Sequence, residues 1–505
     1  MVDWRVPSRT MGWKASLAVP FARWTMRRLR SAVADPVAAQ RKEFERIVAS
    51  GARTAFGWEH GVEQGMEVEA FQQAVPVRDY EGLKPWIDRA VAGEADVVWP
   101  GRPMYFCKTS GTTSGAKYIP LTRESMPNHI GSARNALLAY IAETGDARFV
   151  DGRMIFLQGS PELGRTPGGI PVGRLSGIVA HHVPQVLQRN RMPTWETNCI
   201  ADWEEKVEAI VRETARADLR LISGIPSWVQ MYYERLLAHT GAANVKQVFP
   251  NFSLFVFGGV AFEPYRERFR ALVGGEVPAV ELYPASEGFL AFQDAREADG
   301  MLLNVADGIH FEFIPADRYF DVDRPRLTVG EVRLGVNYAV VLTTTAGLMA
   351  YDLGDTVRFT SLEPARVVVT GRVKHFTSAF GEHVIAEEVE GALAEGVAAA
   401  GGEVVEFHVA PEVAPAEGLP YHEWCIEFSR VPGDVGAFAA AVDAALQRRN
   451  PYYRDLIQGG VLRPAVIRQV AAGGFADAMR ASGRLGGQNK PPRLANARTF
   501  ASLLP

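Results

Sequence analysis

Between Arg102 and about Thr370 the chain alternates short apolar runs with segments of helical length, and this alternation limits its fold more than any other feature. MIFLQGS, LRLISGIP, LFVFGGVAF and AVELYPAS are too short for helices and end in Gly, Ser or Pro clusters. WEEKVEAIVRETAR and PSWVQMYYERLLAHT carry apolar residues at helical spacing. Strand, loop and helix repeated in this order predict α/β architecture with largely parallel strands. The loops after such strands are where open sheets place ligands.

The flanks read differently. From Asp35 to about Glu94, Gly and Pro breaks separate helical segments, a helical approach to the sheet. HFEFIP, EVRLGVNYAVVLTTTAGLMAYDLGDTVRFT and ARVVVTGR are strand-rich with tight turns and predict an antiparallel or barrel-like part. After Gly371, a helix, two strands and another helix predict a small α+β domain. The expected division is a large N-terminal domain over 1–374 and a smaller, mobile lid domain over 375–505.

Charge and cysteine usage exclude several classes. A net charge of −4 leaves no global basic field, so nucleic acid is not an expected partner. Three cysteines, Cys107, Cys199 and Cys425, lie far apart without paired spacing, against a disulfide framework or zinc site. A reducing, cytoplasmic compartment is expected, with no signal peptide. The most apolar uncharged stretch, Leu334 to Tyr351, reads as two strands and a turn, so no membrane span is expected. Basic residues crowd between Arg23 and Arg30, which predicts an amphipathic helix packed on the body in preference to a membrane anchor. Only nine of the 54 basic residues are lysine, and Lys108, Lys117, Lys374 and Lys490 fall inside the segments discussed next.

Five segments carry the chemistry. In FCKTSGTTSGAKYIPLT (106–122), glycines at 111 and 115 let the backbone present N–H groups, and Ser110, Thr112, Thr113 and Ser114 add hydroxyls. Such a loop can wrap anionic oxygens. It is not a Walker loop, because no Gly-Lys dipeptide occurs in the chain. In LYPASEGFL (282–290) a strand ends at Tyr283, a turn holds Ala285 and Ser286, and Glu287 is expected exposed beside apolar neighbours. One such carboxylate suffices for Mg²⁺ that also binds substrate phosphates, although first-turn helix placement would suit it equally. YDLGD (351–355) places Asp355 at an expected strand end, suited to a ribose diol or to closing a hairpin. GRVKHFTSAFGE (371–382) delivers Arg372 and Lys374 into a loop, and GGQNKPPR (486–493) holds Lys490 between glycines and prolines.

In this order the segments resemble the motifs of acyl-adenylate-forming enzymes. VPVRDYEGLKPWIDRAVAGE, TSGTTSGAKYIP, HFEFIP, VLTTTAGLMAYDLGD and QNKPPR resemble, more narrowly, the auxin-responsive Gretchen Hagen family of acyl acid amido synthetases, in its bacterial branch. The resemblance runs from about residue 35 to about 495. It implies a ligase that uses ATP and Mg²⁺ to convert a carboxylic acid to acyl-AMP and then transfers the acyl group to the amine of an amino acid. Coenzyme A as acceptor is the alternative. A nucleotide-binding or scaffolding protein with lapsed chemistry is a third possibility, disfavoured by the retained Glu287, Asp355 and Lys490.

The resemblance also implies roles. Thr109, Ser110, Gly111, Thr112, Thr113 and Lys117 would face the phosphates, and Glu287 would bind Mg²⁺. Asp355 and Arg372 would fix the ribose, while Tyr283, Ala285 and Ser286 would lie along the adenine and α-phosphate. Lys490 would reach in from the small domain as the catalytic cation, with 371–381 as hinge. One departure stands out: the family commonly has Arg after the Tyr of its third motif, where this chain has Asp352.

Two other groups read as structural. His181 and His182 are adjacent, so they point different ways, and no ligand-type residue joins them at metal spacing. Trp228, Met231 and Tyr232 have the spacing of a core-facing helix, though they could also line an acyl pocket. The absence of G-x-S-x-G speaks against a serine hydrolase.

Overall fold

The computed structural model describes residues 12–112, 115–183, 188–200, 203–259, 262, 266–373, 376–377, 379–382, 384–482 and 491–505. Side chains of 110–112, 115, 371 and 372, among others, also lie outside the description.

Eleven described strands form one sheet, in the order Ile309–Pro315, Asn337–Thr344, Tyr351–Leu362, Ala365–Arg372, Met301–Leu303, Phe289–Phe292, Ala279–Pro284, Leu254–Gly258, Leu219–Ser223, Arg153–Phe156, Arg191–Met192. The last five pair in parallel, as the strand-helix alternation predicts. The first seven pair antiparallel, so the strand-rich stretch continues the same sheet. The two halves share Ala279–Pro284, which is parallel to one neighbour and antiparallel to the other. The hairpin leaving that strand holds Ala285, Ser286 and Glu287. The segment read as two strands and a turn is Asn337–Thr344 followed by Tyr351–Leu362.

Local chemistry fixes the helix ends. Asp35, Asp79, Asp434 and Asn450 each accept a backbone N–H in the first turn of the helix they cap. Gly145 and Gly241 end their helices in the left-handed conformation, which costs other residues more.

The helical approach is tied to the sheet by buried polar contacts. Arg326 (8% exposed side chain) pairs at 2.7 Å with fully buried Glu312 of the HFEFIP strand and donates to the carbonyls of Gln72 and Val75. Gln40 donates to Val305 and Ile309 carbonyls and accepts from Phe311 N–H, closing the sheet edge with a helix.

The C-terminal part has a three-stranded sheet ordered Glu403–Glu412, Tyr421–Arg430, Val466–Val470, covered by Ala386–Ala400 and Val435–Arg449. Its core takes in Val207 and Met231 of the large part, and Arg174 pairs with Asp455 at 3.2 Å. Arg493, Leu494 and Ala495 run along Val409 as an added edge. Lys490 and Thr113 lie outside the described residues.

Candidate active site

Residues 106–122, read from sequence as a loop, form a two-stranded antiparallel ribbon, Tyr105–Thr112 against Gly115–Leu121. Thr109 faces Lys117 in the register, which shifts between Thr109 and Thr112 as the ribbon nears its tip. Its base is core: Phe106, Ile119 and Leu121 are buried. Beyond this buried base, Thr109 and Lys117 are partly exposed and lie closer to the tip. Ser110, Gly111 and Thr112 share this strand, although their side chains fall outside the description.

The second element is the hairpin between Ala279–Pro284 and Phe289–Phe292. Ala285 N–H donates to Gly288 O at 2.9 Å and Gly288 N–H returns to Ala285 O at 3.3 Å, leaving Ser286 and Glu287 at the apex. Asn128 clamps its base, accepting from Phe289 N–H at 2.6 Å and donating to Phe289 O at 3.1 Å. The expectation of an exposed Glu287 is corrected here: it is 9% exposed, because the hairpin folds inward against the ribbon and the strand Tyr351–Leu362. Nor does a helix follow it.

The third element is that strand. Asp355 is not at a strand end but inside a 12-residue strand, beside a bulge at which Asp352 pairs with Val341 and Thr356 with Ala339. Gly354 has φ +80°, a conformation that favours glycine, and the extra residues re-aim the side chains that follow. Asp352 accepts Gly354 N–H at 2.9 Å and the Tyr319 hydroxyl, so it braces the bulge. Arg372 is the cross-strand partner of Asp355.

Side-chain contacts join the three. Tyr351 donates to Glu287 Oε1 at 3.1 Å, and Lys117 Nζ lies 3.5 Å from the Tyr351 hydroxyl oxygen. Tyr283 donates to Asp355 Oδ2 at 2.8 Å. Cys107 Sγ donates to Ser286 Oγ at 3.1 Å. Residues 64 to 234 positions apart are thus brought into one constellation. The contacts take in Cys107 and Lys117 of the ribbon, Tyr283, Ser286 and Glu287 of the hairpin, and Tyr351 and Asp355 of the strand; the loop 371–382 adjoins them through the Asp355–Arg372 register.

Electrostatics separate structural from chemical groups. Burial pushes the Cys107 thiol up to about 12, so it stays protonated and donates, with no thiolate available as nucleophile. Burial also lifts Tyr80 to about 12; its hydroxyl accepts from Tyr118 N–H at 2.9 Å, and its ring lies 5.7 Å from Lys117 Nζ. Tyr80, Cys107, Tyr351 and Asn128 have no assigned role in the sequence reading. Tyr80 and Tyr351 do stand inside quoted motifs, at positions where a buried phenol hydroxyl needs a partner.

Trp228 is half-buried, and the other groups read as structural have partners or core places. His181 Nε2 meets Pro161 O at 2.8 Å and His182 Nε2 meets the Tyr105 hydroxyl at 3.2 Å. Met231 and Tyr232 are buried in core clusters, the Tyr232 hydroxyl 2.7 Å from Thr214 Oγ1.

The eleven-stranded mixed sheet, the hydroxyl-rich ribbon and the small sheet-and-helix part together match the fold of solved acyl acid amido synthetase and acyl-CoA ligase structures. An acyl acid amido synthetase, AtGH3.15 in complex with 2,4-DB, superposes with a TM-score of 0.61 over 99% of this chain and 97% of that chain at 15% identity. A 2-hydroxyisobutyryl-CoA ligase bound to 2-HIB-AMP and CoA gives 0.57 over 92% and 90%, also at 15%. The chain matches the GH3 family N-terminal domain over 25–207, the central domain over 302–372 and the C-terminal domain over 387–499, and it belongs to the GH3 family. Jasmonoyl–L-amino acid synthetase JAR4 of Nicotiana attenuata is 23% identical over 387 residues, 63% of this chain and 66% of that relative, slightly under two thirds of its length.

Proposed function

We propose that this protein joins a carboxylic acid to the amine of an amino acid in two steps driven by ATP. In the first, a carboxylate oxygen bonds to the α-phosphorus and the bond to pyrophosphate breaks, leaving acyl-AMP. In the second, the amine nitrogen bonds to the acyl carbon, AMP departs, and the nitrogen loses a proton. The observation that carries this reading is the convergence of Lys117, Tyr351, Glu287, Tyr283 and Asp355 from three separate motifs. Family membership supports the same reading.

The residues fit an ATP-bound magnesium ion. Among the described residues no group of three or more His, Cys, Asp or Glu could hold a metal alone. Glu287 offers one inward carboxylate held by a phenol, which suits an ion that takes its remaining oxygens from phosphate and water. Such an ion would neutralise charge on the triphosphate. Thr109 to Thr113 would supply donors to the phosphates, with Lys117 as a nearby cation. Asp355, oriented by Tyr283, would accept the ribose hydroxyls beside Arg372, and Ala285 and Ser286 would bound the nucleotide. Lys490, carried by the C-terminal part, would approach the α-phosphate for the first step; the division at 374/375 and the hinge at 371–381 belong to this proposal.

The test is carboxylate-dependent exchange of pyrophosphate into ATP across a panel of acids, followed by addition of mixed amino acids or of coenzyme A. An amide product is expected by mass. A thioester would move the acceptor to coenzyme A, and no exchange with any acid would leave a binding protein without ligase chemistry.

A further inference from the structure

The helix Trp13–Ala32 has two apolar faces. Ala15, Ala22 and Met26 point inward against the body, chiefly the helix Met126–Thr144. On the opposite side, Trp13, Leu17, Phe21 and Trp24 follow one another at steps of four, four and three residues. Their exposures are 72%, 63%, 51% and 53%. Phe21 and Trp24 have ring centroids 6.2 Å apart, so the outer residues form a continuous patch. Among the described residues these four side chains stay exposed.

The charged residues of the helix itself are all basic, while at its N-terminal end Asp151 of the body accepts the Gly12 N–H at 2.9 Å. The helix has five basic residues, Lys14, Arg23, Arg27, Arg28 and Arg30, and no Asp or Glu. All five are exposed. Arg28 stacks over Trp24 at 4.9 Å, and Arg30 reaches a carboxylate, Asp294 at 4.0 Å. By helical phase, Arg23 and Arg27 lie along one flank of the aromatic stripe and Lys14 along the other.

We infer that this face docks the protein reversibly on an anionic lipid surface. Two Trp, a Phe and a Leu between basic flanks are the composition of a helix lying in the membrane interface, with rings at headgroup depth and cations at the phosphates. The packed inner face keeps the helix preformed, so no folding is needed on contact. A second copy of this chain is a poorer occupant, because its identical helix would set like charges against these. No described helix is long and apolar enough to cross a bilayer, so attachment is peripheral.

The test uses the full chain and co-sedimentation with vesicles of phosphatidylcholine alone or mixed with phosphatidylglycerol, at low and high salt. Binding is expected to the mixed vesicles only, and to weaken with salt. Phe21→Ser with Trp24→Ser, and separately Arg23→Glu with Arg27→Glu, should each weaken it by at least about tenfold while thermal melting is unchanged. Failure to bind mixed vesicles at low salt overturns the inference. So does equal binding of the Arg→Glu variant, or a concentration-dependent dimer, lost in the Phe21/Trp24 variant, in protein that ignores vesicles.

Discussion

Tyr351 donates its hydroxyl hydrogen to Glu287 Oε1 at 3.1 Å, linking the first residue of one motif to the apex of a hairpin 64 residues earlier. The carboxylate is turned inward by the hairpin and accepts from a phenol, and among the described residues no ion pair holds it. Its charge therefore stays available to an ion arriving with a triphosphate.

Tyr351→Phe removes that donor while keeping the ring. Hydrogen bonds to charged groups contribute roughly 1.5–3 kcal/mol, so magnesium-dependent pyrophosphate exchange should fall by about tenfold or more. Titrating magnesium should move the half-saturating concentration upward; an unchanged titration would remove Tyr351 from the site.

The bulge supplies a second expectation. Asp352 holds Gly354 N–H and the Tyr319 hydroxyl, and Gly354 precedes the proposed ribose ligand. Asp352→Ala and Gly354→Ala should therefore raise the KM for ATP more than they lower kcat. In Gly354→Ala the added Cβ meets nothing within 4 Å, so its cost is the left-handed backbone, about 1–2 kcal/mol. Equal ATP dependence in wild type and both variants would separate Asp355 from the nucleotide.

Lys490→Ala should slow the first step by about 10²-fold, comparable to losing one preorganised donor to developing charge. ATP should still bind. Rapid-quench measurement of acyl-AMP in a single turnover checks this, and an unaltered rate would exclude Lys490 as the catalytic cation.

Stability should respond strongly at Arg326. Removing it leaves Glu312, with a fully buried side chain, without its guanidinium, and breaking a buried pair costs roughly 3–5 kcal/mol. The urea midpoint of Arg326→Ala should drop accordingly. The double change Arg326→Met with Glu312→Leu should restore much of it.

Stability should also fall in mild acid. Burial lowers His129 and His408 to about 4, below their unfolded value near 6.5. The unfolded chain then binds more protons between about pH 6.5 and 4. Each buried histidine therefore removes about 1.4 kcal/mol per pH unit as pH falls through that window. Denaturation midpoints at several pH values check this, and His129→Met should flatten the slope.

Fold class and motif order were legible from sequence because both are written in short-range signals. Period-two and helical apolar spacing, the Asp and Asn caps and the turn glycines each act within a few residues, so a strand-helix alternation and its ligand loops can be read without coordinates. The same signals marked the SGTTSG, YPASEG and YDLGD segments. They did not show that the first is a strand ribbon or that Glu287 is buried.

Those points were decided by the tertiary structure alone. Whether a side chain at a hairpin apex faces solvent or core depends on what packs against it, and here the covering ribbon and strand come from residues far away in the chain. Likewise the aim of Asp355 depends on a bulge whose register is set against Asn337–Thr344, because a pairing shift reverses which face a side chain takes. The sequence by itself determined which elements form and which groups are available for chemistry. Long-range pairing and packing determined which of those groups meet.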